Sequence, residues 1–347
     1  MKNLRNLLIL SLLFVLVASS LTIAAPKRIK IGLSLATLQE ERWGKDRDFF
    51  REEAERLGAQ VLVQAANNDD ALQISQCENL LSQGVDVLVV VCHDGEAAAA
   101  IVESAHKSKV PVIAYDRLIK NCDLDLYISF DNERVGYLQA MGVLSKVSAG
   151  NFVYIGGSPT DNNAYLVKQG SMKALQPYID TGKIKIVYDQ FTPNWDPAIA
   201  QANMENALTM LNNKVDAVVA ANDGTAGGVI QALADQKLAG KVPVSGQDAD
   251  LAACQRIVEG TQTVTVYKPI KAIAYAAAQA AVKLAKGEKV EANLSVNNGK
   301  VDVPYIALDP IPVYKENMYD VIIMDGFYTI EQVYRNVPKK DWPKEKK

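Results

Sequence analysis

The chain repeats one pattern twice: Val85-Asp86-Val87, His93-Asp94-Gly95, Lys109-Val110-Pro111-Val112 and Tyr115-Asp116, then Val215-Asp216-Ala217, Asn222-Asp223-Gly224, Lys241-Val242-Pro243-Val244 and Gln247-Asp248. Each copy reads as a strand, a helix and a second strand. A strand–helix–strand unit is the building block of parallel α/β sheets. Because the unit recurs in the two halves of the chain, the sequence predicts two similar α/β lobes.

The apolar runs outside the repeat support the same fold. They are apolar throughout and rich in β-branched residues, which is typical of strands buried on both faces of a parallel sheet. The predicted strands are Arg28-Ser34, Gln60-Gln64, Val85-Val91, Val110-Tyr115, Leu126-Phe130, Asn151-Ile155, Ile184-Tyr188, Val215-Ala220, Val242-Ser245 and Thr263-Tyr267. We therefore expect two doubly wound, Rossmann-like lobes joined by a three-segment hinge.

Three crossings between the lobes are predicted. They lie near Asp131-Asn132, near Tyr267-Lys268 and around Val296-Lys300, where Asn297-Asn298-Gly299 is a turn signal. These crossings assign residues 26–131 plus 267–297 to an N-terminal lobe and residues 132–266 plus 298–330 to a C-terminal lobe. Residues 331–347 form a C-terminal tail, and its charged, proline-containing end from Pro338 is expected to be frayed.

The first 25 residues have the layout of a secretory signal peptide. Lys2 and Arg5 precede an apolar run from Leu7 to Ala18, and small residues follow, which predicts cleavage near Ala24 and an exported protein. An uncleaved membrane anchor is the alternative, since the stretch approaches the roughly 20 residues that span a bilayer. The 37 basic and 40 acidic residues give a net charge of -3 without basic runs. That balance indicates no nucleic-acid partner.

The repeat also predicts where a ligand binds. Asp116 and Asp248 follow equivalent strands, and ligands of open α/β sheets bind at the carboxyl ends of the strands. Two such edges that face each other would form a cleft. Trp43 lies just after the first strand, and Trp195 lies in the loop after the second strand of the second lobe, so each edge offers one indole. The alternative for Trp43 is a packing role in the core.

The polar residues at these edges favour an uncharged polyol. Arg42, Asp116, Arg117 and Asp248, with amides such as Asn222, supply the donors and acceptors that hydroxyl groups need. Cations and carboxylates are nearly balanced, whereas a phosphate pocket would show surplus cations or a glycine-rich loop at a helix start. Gly156-Gly157-Ser158 lacks the spacing of such a loop and is interpreted as a tight turn.

Catalysis and metal binding find little support. There is no G-x-S-x-G elbow, and His93 and His106 are the only imidazoles in the chain. Asp116 with Asp248 could form a glycosidase pair, but each has a neighbour suited to holding hydroxyls. No metal and no cofactor is predicted.

The four cysteines are Cys77, Cys92, Cys122 and Cys254. An oxidising compartment allows three pairings, and buried free thiols are the simpler interpretation. Cys92 with Cys122, both expected near the ligand edge of the first lobe, is the pairing we consider.

Seven longer blocks of residues resemble one known family. They are residues 41–48 (ERWGKDRD), 114–117 (AYDR), 127–133 (YISFDNE), 156–164 (GGSPTDNNA), 221–223 (AND), 245–250 (SGQDAD) and 261–269 (TQTVTVYKP). In this order they resemble the periplasmic D-xylose-binding proteins of bacterial ABC transporters, which are type I periplasmic binding proteins of the ribose-binding type. The similarity extends over about residues 28 to 330.

The resemblance implies a receptor that closes two lobes around a sugar and delivers it to an ABC permease. By motif, the residues expected to hydrogen-bond the sugar are Arg42, Asp116, Arg117, Asn163, Asn222, Asp248 and Lys268. Trp43 and Trp195 are expected to stack on the sugar, and Lys45 is a weaker candidate that lines the opening. A monomer is expected, and a chemotaxis receptor is a further possible partner.

D-xylose is the expected ligand, and another sugar, such as ribose, glucose or galactose, is the first alternative. A secreted carbohydrate-active enzyme is an alternative from a different class. A sugar-responsive transcription regulator would need a helix-turn-helix at its N-terminus, where this chain has the predicted signal peptide.

Overall fold

The structure is a computed structural model, and it describes residues 28–343. The predicted signal peptide, with its cleavage near Ala24, lies outside these described residues. Within them, none of the helices combines the length and the apolar character needed to cross a bilayer.

The strands and helices alternate along most of the described chain, as the repeat predicts. The strands are β1 (Lys30–Leu35), β2 (Gln60–Ala65), β3 (Val87–Val91), β4 (Val112–Tyr115), β5 (Leu126–Phe130), β6 (Gly150–Ile155), β7 (Ile184–Gln190), β8 (Ala217–Ala220), β9 (Thr265–Tyr267), β10 (Leu294–Asn297), β11 (Asp302–Leu308) and β12 (Ile311–Val313). The helices are α1 (Glu41–Arg56), α2 (Asp70–Ser82), α3 (Ala99–Lys107), α4 (Asn132–Leu144), α5 (Asn162–Asp180), α6 (Pro197–Met210), α7 (Asp223–Asp235), α8 (Leu251–Glu259), α9 (Ile270–Ala285) and α10 (Ile330–Val333).

The first lobe contains a seven-stranded sheet in the order β10-β11-β5-β4-β3-β1-β2. Its strands are parallel except for the antiparallel pair β10–β11. Every residue of β3 is buried, because apolar cores lie on both faces of the sheet. One of these cores includes the alanine-rich face of α9, whose Ala274, Ala277 and Ala281 are fully buried. Small side chains let this helix pack closely on the sheet.

The second lobe is built on the parallel sheet β7-β6-β8. The predicted strand Val242-Ser245 reduces to a single parallel bridge between Val244 and Val218. Helices α4 and α5 cross closely: a Cβ at Gly136 would lie 1.8 Å from the Val167 carbonyl oxygen, and one at Gly170 equally near that of Glu133. The fold prediction of two doubly wound parallel α/β lobes is confirmed.

The third predicted crossing between the lobes is wrong. Strand β11 is hydrogen-bonded to β5 in parallel register, with Tyr305 opposite Tyr127, so residues 302–308 belong to the sheet of the first lobe. The turn signal at Asn297-Asn298-Gly299 instead joins β10 to β11 as a hairpin. The chain passes to the second lobe after Leu308, where β12 pairs with β9.

Within the described residues, the predicted frayed tail is anchored at one position, Trp342, whereas residues 338–341 are exposed. Val333 and Tyr334 are buried in an apolar cluster with α8. The Trp342 ring contacts Tyr334 at 6.3 Å, and its Nε1 donates to the Val337 carbonyl at 2.8 Å. Apolar residues between the charges therefore anchor this segment to the second lobe, although its charge pattern indicates a solvated tail.

Candidate functional site

A pocket of about 300 Å³ lies between the two lobes, at the carboxyl ends of their strands. All nine residues predicted to contact a ligand line it, together with three that were not selected. The lining residues are Glu40, Arg42, Trp43, Asp116, Arg117, Asp161, Asn163, Trp195, Asn222, Gln247, Asp248 and Lys268.

The first lobe contributes residues from two strand ends. Arg42 and Trp43 lie in the first turn of α1, directly after β1 and its loop. Asp116 and Arg117 follow β4, where Asp116 has a positive φ of 61°. This left-handed conformation is tolerated by Asp more readily than by most residues.

The second lobe contributes residues that begin helices. Asp161 caps α5 by accepting a hydrogen bond from the backbone N–H of Asn163, at 2.9 Å. Asn222 caps α7 by accepting one from the N–H of Thr225, at 2.8 Å. Trp195 closes a 3₁₀ turn, Pro193–Trp195, immediately before α6. The same local signals that start these helices therefore place the side chains at the pocket.

Ion pairs cross the pocket from one lobe to the other. The Arg42 guanidinium lies 3.0 Å from an Asp116 oxygen and 3.4 Å from an Asp248 oxygen. Lys268, in the segment between β9 and α9, reaches the same two carboxylates at 3.9 Å and 3.8 Å. Arg117 pairs with Asp161 at 3.0 Å. These groups are all nearly fully buried, so each charge depends on its partners.

The pocket has no excess of positive charge. Among the lining residues, Arg42, Arg117 and Lys268 are cationic, and four side chains are acidic. There is thus no surplus of cations for a phosphate or a carboxylate ligand. Fixed donors and acceptors without net positive charge suit an uncharged molecule with several hydroxyl groups.

The protonation states follow from this pairing. Burial raises the pKa of a carboxyl group, but Arg42, Lys268 and Arg117 outweigh it at Asp116 and lower its pKa. At Asp161 burial prevails over Arg117, and the pKa is raised. Glu40 has the clearest shift: burial raises its pKa to about 7, against the opposing charge of Arg117.

Both indoles are held at the pocket by polar contacts. The Trp43 ring lies 4.3 Å from the Arg42 guanidinium and 5.2 Å from that of Arg117, and its Nε1 donates to Glu40. The Trp195 Nε1 donates to Asp161 at 3.2 Å. A Cβ at Gly157 would lie 2.1 Å from the Trp195 ring, so the predicted tight turn makes room for the indole.

Three lining residues were not selected from the sequence: Glu40, Asp161 and Gln247. Each is within two positions of a residue that was selected. Asp161 and Gln247 lie in the blocks 156–164 and 245–250 that carry the family resemblance. The signal that could have found Asp161 is its capping position before α5. Glu40 precedes its helix without capping it through its side chain, so only the fold reveals its place.

Lys45 does not line the pocket. It pairs with Glu41 at 2.9 Å and lies over the rings of Phe327 and Tyr328, at 4.2 Å and 3.9 Å. These two rings belong to the segment that packs on α8 in the second lobe. Lys45 therefore links the lobes beside the pocket and does not face a ligand.

His93 also links the lobes. Its Nδ1 lies 2.8 Å from Asp70, and its Nε2 lies 3.0 Å from the Asn194 side-chain oxygen in the second lobe. Both ring nitrogens are thus occupied by hydrogen-bonding partners. His93 therefore has a structural role at the contact between the lobes.

The pairing of Cys92 with Cys122 is not formed. All four cysteines are free and buried. The Cys92 sulfur lies 3.6 Å from the Arg117 carbonyl oxygen, and the Cys122 sulfur lies 3.9 Å from that of Ile119. Burial raises the pKa of the Cys122 thiol to about 11, which keeps it protonated. Cys92 and Cys122 thus serve as small apolar side chains in the core of the first lobe.

Comparisons with known proteins identify the family. The family model of the periplasmic binding protein domain matches residues 31–289. The D-xylose-binding periplasmic protein of Haemophilus influenzae is 55% identical over 311 residues, which cover 90% of this chain and 94% of that protein. The D-xylose-binding periplasmic protein of Escherichia coli is 52% identical over 327 residues, covering 94% and 98%.

A solved structure gives the same fold. The carbohydrate transporter solute binding protein from Chloroflexus aurantiacus, in complex with D-glucose, superposes with a TM-score of 0.82 at 34% identity, covering 88% of this chain and 98% of the other. The prediction of a binding protein rather than an enzyme is confirmed, because the curated relatives are named as binding proteins.

Proposed function

This chain belongs to the periplasmic binding protein family, and on that premise we propose that it captures D-xylose between its lobes and delivers it to an ABC permease. The observation that carries the proposal is the pocket itself. One pocket between the lobes brings together two indoles and a ring of charges and amides with no surplus of positive charge. The identity of 52–55% to D-xylose-binding periplasmic proteins supports xylose over other sugars.

In this proposal the nine predicted residues hold the sugar. Trp43 and Trp195 provide apolar surfaces for the C–H faces of the ring, and the ionic and amide groups around them bind its hydroxyls. Hydrogen bonds to charged groups are about twice as strong as neutral ones. A sugar that leaves water can thus recover its hydration energy in this pocket.

Closure carries the signal to the permease. Arg42 of the first lobe touches Asp248 of the second, and His93 and Lys45 add contacts between the lobes outside the pocket. A ligand that bridges both lobes favours this closed form by the contacts it makes only there. The export signal is proposed to be removed near Ala24, and the mature protein is proposed to act as a monomer.

The experiment is isothermal titration calorimetry of the mature chain with D-xylose, D-ribose, D-glucose and D-galactose. We expect the tightest binding with D-xylose, and intact sugar after prolonged incubation. If a hexose binds more tightly than D-xylose, the hexose becomes the proposed ligand and the proposed receptor function stands. Binding of none of these sugars, or turnover of one of them, would overturn the proposal.

A further inference from the structure

The side chain of Gln247 lies at the pocket with a hydrogen-bonding atom left unused. The residue is 3% exposed and lines the pocket. Its side-chain oxygen is buried and has no hydrogen-bond partner among the described residues. A buried amide oxygen without a partner is unfavourable, so in native proteins it usually indicates a missing ligand or water.

The other amides of the pocket are already occupied. The Asn163 oxygen accepts from Asn132 at 3.0 Å, and its nitrogen donates to Asp116 at 3.1 Å. The Asn222 oxygen caps α7. Among the amides that line the pocket, Gln247 is therefore the one whose oxygen is free to accept from a ligand.

The backbone holds Gln247 in place. Its carbonyl accepts from the Asp223 N–H at 3.1 Å, and the residue forms a parallel bridge with Val266. Asp223 is itself fixed by the Thr265 hydroxyl at 2.7 Å. The preceding residue must be Gly246, because a Cβ there would lie 2.0 Å from an Asp223 oxygen. The strand end is thus rigid, and the amide needs little ordering when a ligand arrives.

We propose that Gln247 accepts a hydrogen bond from one hydroxyl of the bound monosaccharide and makes the receptor specific for sugars that carry this hydroxyl. The inference rests on the proposed function and adds a contact to the nine predicted ones. Its effect on specificity follows from burial. A sugar that lacks the hydroxyl, or carries it in the other configuration, leaves the buried amide oxygen unpaired, which weakens its binding.

The test replaces Gln247 by an unbranched apolar side chain of similar length, Gln247→Met. We expect D-xylose affinity to fall about tenfold, which corresponds to about 1.4 kcal/mol. The thermal midpoint without sugar should not fall, because no hydrogen bond of this side chain is lost. The matched control is Gln76→Met in α2, since Gln76 also has an unpartnered buried oxygen but lies away from the pocket. Its xylose affinity should remain unchanged.

Deoxy analogues of xylose, each lacking one hydroxyl, identify the contact. One analogue should bind the wild-type protein about tenfold more weakly than D-xylose does. The same analogue and D-xylose should bind Gln247→Met with equal affinity. Gln247→Glu keeps an acceptor oxygen and should retain this discrimination, which gives a second variant should the first fold poorly. Unchanged xylose affinity in Gln247→Met would overturn the inference alone. A wild type that binds none of the sugars would overturn the proposed function as well.

Discussion

The ligand edges of the two lobes come from repeated sequence but fix their side chains by different means. In the first lobe, side chains hold one another: Arg42 pairs with Asp46 at 3.1 Å and with Asp116 at 3.0 Å. In the second lobe, the backbone also fixes side chains at the pocket. Asp161 and Asn222 accept hydrogen bonds from N–H groups in the first turns of α5 and α7. The first edge is thus held by side-chain ion pairs, whereas two residues of the second edge, Asp161 and Asn222, are in addition fixed by helix caps.

The difference predicts how each edge responds to mutation. A buried ionic network fails as a whole when one charge is removed, since its partners are left without compensation. A helix cap is a local contact that contributes about 1 kcal/mol, and its loss remains local. We therefore expect mutations at the first edge to lower both ligand affinity and stability. Mutations at the second edge should lower ligand affinity with a smaller loss of stability.

The largest effect is expected from the repeat-related pair of aspartates. Asp116→Asn removes the charge that faces Arg42 and Lys268, both buried, so the free energy of unfolding should fall by about 3 kcal/mol. Xylose affinity should fall at least about a hundredfold. Asp248→Asn removes longer contacts, 3.4 Å and 3.8 Å, so its cost should be smaller, about tenfold in affinity with a smaller loss of stability than Asp116→Asn.

Calorimetric titration and urea unfolding of both variants measure this difference. Asn is the substitution of choice because both positions have positive φ, 61° and 91°, which Asn tolerates. Equal losses of stability in the two variants would contradict the distinction between the edges.

The next largest effect is expected at the two indoles, which should differ in how much each contributes to stability. Trp195→Ala should weaken xylose binding about thirtyfold, as for a buried aromatic contact. Trp43→Ala should weaken binding to a similar degree but also lower the free energy of unfolding by about 3 kcal/mol or more, because Trp43 belongs to the central core of the first lobe. Trp195 packs in a smaller cluster beside the pocket.

Intrinsic fluorescence titration and thermal unfolding of the two variants provide the measurements. Phe variants at both positions are the controls, since they keep an aromatic face and should recover part of the affinity. An unchanged affinity in Trp195→Ala would remove this residue from the site.

The sequence predicts most of this site because local signals locate it. Asp116 and Asp248 follow strands that are readable as apolar runs, and Asn222 begins a helix with a capping residue. Such signals depend on neighbouring residues only. Together with the family resemblance, which adds Asn163 and Lys268, they select nine side chains, and all nine line one pocket.

What the sequence does not predict depends on distant partners. Strand β11 joins the first sheet because Tyr305 pairs with Tyr127 across the fold, so the third crossing could not be placed from a turn signal. Lys45 turns to Phe327 and Tyr328, far along the chain, and away from the pocket. Glu40 lies 3.5 Å from the Arg117 guanidinium, which is also far along the chain. None of these contacts leaves a periodic pattern in the sequence.

Glu40 provides the smallest effect and a test of the first edge by titration. Burial in the closed structure raises the pKa of its carboxyl from 4.5 to about 7. In an open cleft the carboxyl returns to water, where its pKa is near the ordinary value. Between these two values the closed form binds more protons than the open form. Closure is therefore favoured at low pH and loses this advantage as the pH rises through 7.

Xylose affinity should consequently fall about tenfold between about pH 6 and pH 8. Glu40→Gln keeps a hydrogen-bond acceptor for the Trp43 indole but cannot titrate, so its affinity should be nearly constant over the same range. Glu96→Gln is the control, because Glu96 is an exposed carboxylate paired with Lys120 at 3.0 Å outside the pocket. The pH profile is measured by calorimetric titration in buffers of matched ionic strength. A slope that persists in Glu40→Gln would assign the proton to another carboxyl, with Asp161 of the second edge the first to test.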